Sequence, residues 1–290
     1  MKHLSLVIFF SIFFSLTIRA QQRELKKYVF DPANQHRWLK EYKALLSIPN
    51  VLGDSFNMVR NADLLKDMMT KRGIKCQLLF SGKPKSAPAV YGEVITPGAK
   101  TTLAFYAHYD GQPVNPKQWA PGLEPFTPVL LSDRLDKGGK IIPFPGDQDR
   151  IDPQWRLYGR GSADDKAGVF AIIAAYESIL GSSRKPSVNI KFFFEGEEEA
   201  GSVHLDELFS KNKNLLNADL WIICDGPRHI SGKKQVLFGV RGDVNLDLTV
   251  YGAKRPLHSG NYGNWAPKTC ATAGWNEGQG RKSNGQRILR

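Results

Sequence analysis

The sequence predicts an α/β fold, a mixed sheet with helices on both faces. Short continuous apolar runs bounded by Gly and Pro alternate with longer stretches of helical periodicity. The runs are apolar at consecutive positions, the pattern of strands covered on both sides. Several end in His, Asp or Glu, and ligand sites in such sheets lie outside the carboxyl ends of the strands.

The elements follow in order. Residues 34–47 place Trp38, Tyr42, Leu45 and Leu46 on one helical face. Residues 56–71 do the same with Val59, Leu64, Leu65, Met68 and Met69, and Gly73 stops that helix. Ile74 to Phe80 and Ala89 to Ile95 read as strands, and Pro97-Gly98 turns into a third that ends in His108-Tyr109-Asp110-Gly111. From Gly111 to Pro153 the chain is a long Pro-, Gly- and Asp-rich connection, a length that in a compact domain points to function. Trp155 to Leu157 is a short strand leading into Gly159-Arg160-Gly161-Ser162-Ala163-Asp164-Asp165-Lys166. A helix follows with Val169, Ile172, Ile173, Tyr176 and Leu180 at helical spacing. Val188 to Phe194 is a strand ending in Glu195-Gly196-Glu197-Glu198-Glu199-Ala200-Gly201-Ser202; 203–211 suits a short helix, and Leu220 to Cys224 a strand ending in Asp225. Past Gly239 the texture changes: Val244 to Val250 alternates apolar and polar, a half-exposed strand, which places a domain boundary near Val240–Gly242.

Residues 1–20 stand apart from this core. Lys2 and His3 precede an apolar run, Leu4 to Leu16, with Ala20 before Gln21-Gln22. This reads as a signal peptide cut after Ala20, hence export to the periplasm or the exterior. The run is short for a membrane span, and no second run of spanning length follows. The three cysteines, Cys76, Cys224 and Cys270, form no Cys-x-x-Cys pair, so neither a disulfide framework nor a thiolate zinc site is indicated. The net charge of +12 shows no basic stripe with interleaved aromatics, and part of it falls in 1–20 and 268–290. Nucleic acid is therefore not an expected partner.

Four groups carry the chemistry: His108/Asp110, Asp164/Asp165, Glu198/Glu199 and Asp225, all at strand ends or in the loops just after them. His-x-Asp puts an imidazole and a carboxylate on the same side of a strand end, as a metal ligand and its support. Carboxylates gathered this way repel one another unless a cation lies between them, and a divalent pair resolves the repulsion. Imidazole with carboxylates suits zinc, with manganese or cobalt as alternatives. Gly159-x-Gly161 is not a dinucleotide loop, because Asp164 stands where the third glycine belongs and would repel a pyrophosphate.

In order and spacing these motifs resemble the co-catalytic zinc peptidases, a family that includes carnosinase-type dipeptidases, carboxypeptidase G, acetylornithine deacetylase and succinyl-diaminopimelate desuccinylase. The Glu-Gly-x-Glu-Glu-Ala-Gly-Ser form at 195–202 looks most like the carnosinase type, and Leu257-His258-Ser259-Gly260 resembles a motif early in the family's inserted α+β dimerisation, or lid, domain. The resemblance runs from about residue 30 to about 267. It implies a zinc-exopeptidase fold, two bound metals, a homodimer, and hydrolysis of dipeptides or short peptides. It implies that His108 and Asp225 bind one metal, that Glu199 binds the second, and that Asp164, joined by a cis peptide to Asp165, bridges both. Asp110 would orient the His108 ring, Glu198 would be the general base, and His258 would serve the partner subunit's site as an oxyanion donor. His36, His204 and His229 match no motif position and read as structural.

The resemblance divides the chain into a signal peptide (1–20), the N-terminal part of a catalytic domain (21–240), the start of a lid (241–267) and a tail (268–290). The tail has almost no apolar periodicity. The family's second metal takes a His well after the lid, and no remaining His here fits. A one-nucleotide frameshift just after Pro267 would account for both, leaving 268–290 out of frame and the chain truncated. The rival readings are an N-acyl amino-acid deacylase of the same family and a catalytically dead binding or dimerisation protein.

Overall fold

The computed structural model describes residues 22–226, together with 229, 231–242, 244, 258 and 261. The expected leader, the tail, and all of 241–267 except Arg241, Gly242, Val244, His258 and Asn261 lie outside these residues, as does the period-two run beyond Val244. The chain divides into two compact units, Met1–Pro227 and Arg228–Arg290. The elements labelled below belong to the first.

Helix α1 covers 22–29. Helix α2 (Pro32–Leu46) begins where Asp31 accepts the Asn34 N–H at 3.2 Å, with a proline in the first turn, where no N–H partner is needed. Asp54 caps α3 (Ser55–Thr70) in the same way through Asn57 N–H, also at 3.2 Å. The buried stripe of α3 is Met58, Ala62, Leu65, Met68 and Met69. Val59, expected on that stripe, is 38% exposed, because one position along a helix turns the side chain by about 100°.

The main sheet contains β1 (Lys75–Leu79), β2 (Ala89–Val94), β3 (Thr102–His108), β7 (Asn189–Glu195) and β8 (Leu220–Ile223), in the order β1-β2-β7-β3-β8. Strands β7, β3 and β8 run parallel, and β2 and β1 add antiparallel to β7. The sheet is therefore mixed, with helices on both faces. Phe192 and Phe194 join Val90, Ala107 and the buried residues of α3 and α4 (Lys166–Gly181) on one face. Phe193, Tyr91 and Trp221 pack with Leu208 of α5 (Leu205–Lys211) and Leu216 of α6 (Lys213–Leu216) on the other. That is why three consecutive phenylalanines are all buried; each contributes roughly 1.5–3 kcal/mol of burial.

The connection from Gly111 to Pro153 is not structureless. It holds β4 (Val129–Leu131) and β5 (Ile141–Ile142), which with β6 (Arg156–Tyr158) form a small antiparallel sheet in the order β5-β4-β6. Strands of two or three residues are too short to show a period in sequence. Strands β1 and β2 also stop one residue short of the expected ends, leaving Phe80 and Ile95 exposed.

One carboxylate fastens the helices of the first face together. Glu177 of α4 accepts hydrogen bonds from Tyr28 Oη (2.8 Å), Trp38 Nε1 (3.0 Å) and Arg72 Nε (2.6 Å), and from the Arg37 guanidinium. Burial works against its charge, but the Arg37, Trp38 and Tyr28 hydrogen bonds and the Arg72 charge hold its pKa down to about 2.

Candidate metal centre

Parallel pairing brings three strand ends to one edge of the sheet. His108 pairs with Glu195 across β3 and β7, and Tyr106 with Ile223 across β3 and β8. Cys224 N–H donates to Tyr106 O at 2.8 Å, carrying the β8 pairing on toward Asp225. The loop after β7 turns at once into a short 3-10 segment, Glu198–Ala200, which sets Glu198 and Glu199 beside His108. Asp164 enters from the loop before α4, where the Asp164–Asp165 peptide is cis.

The His108 ring is buried, and its Nε2 faces carboxylates from three loops: Asp164 Oδ1 at 3.1 Å, Glu198 Oε2 at 3.7 Å and Asp225 Oδ2 at 3.8 Å. Among the described residues, two groups have donor atoms within 4.8 Å of one another: His108/Glu198/Asp225 and His108/Asp164/Glu199. Asp110, fully buried, lies on the other side of the ring, with Oδ1 3.3 Å from Nδ1, a contact without hydrogen-bond alignment. Its two oxygens accept the main-chain N–H groups of Glu198 (3.2 Å) and Glu199 (3.0 Å). Asp110 thus supports the ring and fixes the acidic loop at once.

The electrostatics ask for a cation. Among the described residues, no Lys or Arg pairs with Asp164, Glu198, Glu199 or Asp225. Burial raises the Glu198 and Asp225 pKa values, and neighbouring carboxylates add to this against the pull of His108. Burial opposes charge on His108, yet Asp110, Asp225 and Asp165 outweigh it and push its pKa up to about 10. The same carboxylates that favour a charged ring would be balanced by a metal ion bound at Nε2. An imidazole nitrogen with four carboxylates fits a divalent ion of the zinc type. A cleft of about 460 Å³ opens beside Glu198 and Asp225, walled by Tyr106, Leu205, Phe209, Trp221 and Ile223.

Six of the seven site residues singled out in the sequence thus come together; His258 belongs to the second unit, where its carbonyl accepts the Asn261 N–H at 3.1 Å. Other residues support the site, Asp165 from within a sequence motif and Gln112 and Glu197 without a motif role of their own. Asp165, raised to about 7 by burial, accepts His108 N–H (3.3 Å) and caps α4 through Gly168 N–H (3.1 Å). Gln112 donates to Glu199 Oε2 at 2.8 Å. Glu197, a neighbour of the motif glutamates, takes Ala87 N–H (2.8 Å) and the His204 ring (2.8 Å), which gives His204 the structural role expected of it. His36, likewise structural, is buried against Asp149 O at 2.6 Å.

Known proteins are similar to this chain in sequence and fold. Over 178 residues the chain is 31% identical to the human Beta-Ala-His dipeptidase, covering 61% of this chain and 31% of that protein. Over 230 residues it is 29% identical to a Cys-Gly metallodipeptidase of Schizosaccharomyces pombe, covering 75% and 44%. The chain therefore spans less than half the length of these curated relatives. Among solved structures, an M20 family metallo-carboxypeptidase from Sulfolobus solfataricus is similar at 32% identity and a TM-score of 0.51, over 66% of this chain and 37% of that one. Human carnosine dipeptidase 1 shares the fold at 21% identity and a TM-score of 0.64, over 93% and 54%. Residues 104–260, more than half of the 290, match the family described as Peptidase family M20/M25/M40, and with His108, Asp110, Asp164, Glu198, Glu199 and Asp225 all inside that match, the chain belongs to this peptidase family.

Proposed function

We propose that this chain carries the metal-binding part of a dipeptidase that hydrolyses the amide bond of dipeptides or short peptides with two divalent ions, zinc before manganese or cobalt. The observation that carries the reading is His108 Nε2 ringed by the carboxylates of Asp164, Glu198 and Asp225 within 3.8 Å, with no basic side chain among the described residues to balance them. His108 and Asp225 would hold one ion and Glu199 the other, with Asp164 within reach of both. When bound, such a pair supplies Lewis acidity, lowering the pKa of a water and polarising the scissile carbonyl. Glu198, its pKa raised by burial, would accept a proton from the attacking water at its carboxylate and pass it to the leaving amine. Asp110 keeps the His108 ring and the acidic loop in place.

Residues 1–20 direct export, and 241–267 begin the lid through which two copies pair. His258 of one copy would then donate to the oxyanion in the other. The out-of-frame reading of 268–290 rests on that stretch's loss of pattern, and resequencing the gene decides it.

The test is a pair of variants. Glu198→Ala should leave the metal content per chain nearly unchanged while dipeptide hydrolysis, in a polypeptide of full family length, falls by about 100- to 10,000-fold. Glu199→Ala should lose metal. If Glu198→Ala loses metal instead, the two roles are reversed; if neither variant changes metal content, the centre is not there.

A further inference from the structure

Two loops that bring the donors together meet on one buried side chain that the sequence does not announce. Asn50 follows α2 and is fully buried. Its main-chain O accepts Gly111 N–H at 2.9 Å, and its side-chain Nδ2 donates to Tyr109 O at 2.9 Å. The peptide groups on both sides of Asp110 are therefore held by a single residue. The glycines around it are shaped to the same amide. A Cβ at Gly111 would lie 2.9 Å from Asn50 Nδ2, and one at Gly161, where φ is +75°, would lie 3.3 Å from it. Gly161 belongs to the loop that delivers Asp164. The amide thus fills the space between the loop carrying His108 and Asp110 and the loop carrying Asp164.

Two orphaned atoms mark the same place. Asn50 Oδ1 and Arg160 Nε are buried without a hydrogen-bond partner. A Cβ at Gly111 would stand 3.2 Å from Asn50 Oδ1 and 3.2 Å from Arg160 Cδ, so the acceptor and the arginine flank one glycine. Buried polar atoms left without partners are rare in folded proteins, and these two border the same glycine.

We propose that Asn50 is a positioning residue of the metal centre. Its amide and main-chain carbonyl, bonded to Tyr109 and Gly111, fix Asp110 and through it the His108 ring and the Glu198–Glu199 loop at their separation from Asp164. The proposal rests on the metallopeptidase reading of the site and deepens it. Residues that orient metal ligands typically cost about 10- to 100-fold in metal affinity when removed.

The experiment titrates the metal-free chain with Co2+ and reads the visible absorption of the bound ion, which reports both affinity and ligand geometry. Asn50→Leu keeps the volume and removes the amide; it should bind Co2+ about 10- to 100-fold more weakly, with a shifted spectrum. Glu177→Gln is the control, since it loosens the helices without touching the site and should bind like the wild type. Should Asn50→Leu not fold, Asn50→Ser, which leaves room instead of filling it, gives the same reading. Wild-type affinity and spectrum in a folded Asn50 variant would overturn the proposal. So would an equal loss in Glu177→Gln, because the effect would then be general destabilisation. A wild type that binds no Co2+ would overturn the metal reading itself, and this proposal with it.

Discussion

Glu177→Gln offers a stability test whose size can be worked out beforehand. The substitution keeps the shape of the side chain and removes its charge, so the variant stands in for the protonated wild type. The side chain of Glu177 is 12% exposed and that of its partner Arg72 is 6% exposed. Its pKa falls from the ordinary 4.5 to about 2 in the folded chain. At 1.36 kcal/mol per unit, that difference corresponds to about 3 kcal/mol of stability near pH 7. A second route gives a similar figure. Breaking a buried ion pair costs about 3–5 kcal/mol, and here the low end applies because Arg72 keeps a second carboxylate, Glu41. The pKa is depressed on folding, so the contribution is full above pH 4.5 and is lost as the pH falls towards 2. Urea unfolding of both proteins, followed by far-UV circular dichroism, should show the variant less stable by about 3 kcal/mol at pH 7. The gap should narrow steadily below pH 4.5. A gap under about 1 kcal/mol at pH 7, in the range of an exposed ion pair, would refute the reasoning. So would a gap that stays constant on acidification.

Two further outcomes follow from the site. A methyl group at Gly196 would fall 2.5 Å from Tyr109 Oη and 2.9 Å from Ala87 Cβ, so Gly196→Ala should cost about 1–3 kcal/mol in urea unfolding by overpacking, and a neutral result would show that the Tyr109 ring gives way freely. Because the surrounding carboxylates push the His108 pKa up to about 10, metal binding there displaces a proton, so apparent affinity for Co2+ should rise by about tenfold per pH unit between pH 6 and 8, and a flat profile would show that no proton leaves the site on binding.

The motif residues were legible because the chemistry needs their types at strand ends, where apolar runs stop. His108, Glu198, Glu199 and Asp225 each follow a run that reads as a buried strand, and Asp110 and Asp164 are fixed by their spacing to His108 and Lys166. Helices α2, α3 and α5 were legible to within about two residues from their apolar spacing, whereas the short α1 and α6 were not read. The small sheet of β4, β5 and β6 was not, because its strands are shorter than any period. Asn50 was not legible either. A buried polar side chain in a loop carries no periodicity, and its partners, Tyr109 and Gly111, lie some sixty positions along the chain. Glu197 hid among the motif glutamates, where only the hydrogen bonds to Ala87 and His204 set it apart.

The pairing of His108 with Glu195 also decides where this chain can change length. A strand presents its side chains to alternate faces, so inserting or deleting one residue within 103–107 would turn His108 to the opposite side of the sheet. A change of two residues would restore the face but shift the ring by ~7 Å along the strand, beyond the reach of Asp225. The long connection between β3 and α4 is different: among the described residues it contributes Asp110 at its first turn and Asp164 at its last. Length variation in the stretch between them, even of many residues, leaves both ends anchored. Drift in gene length should therefore collect in that stretch, and be filtered out in steps of one residue within β3.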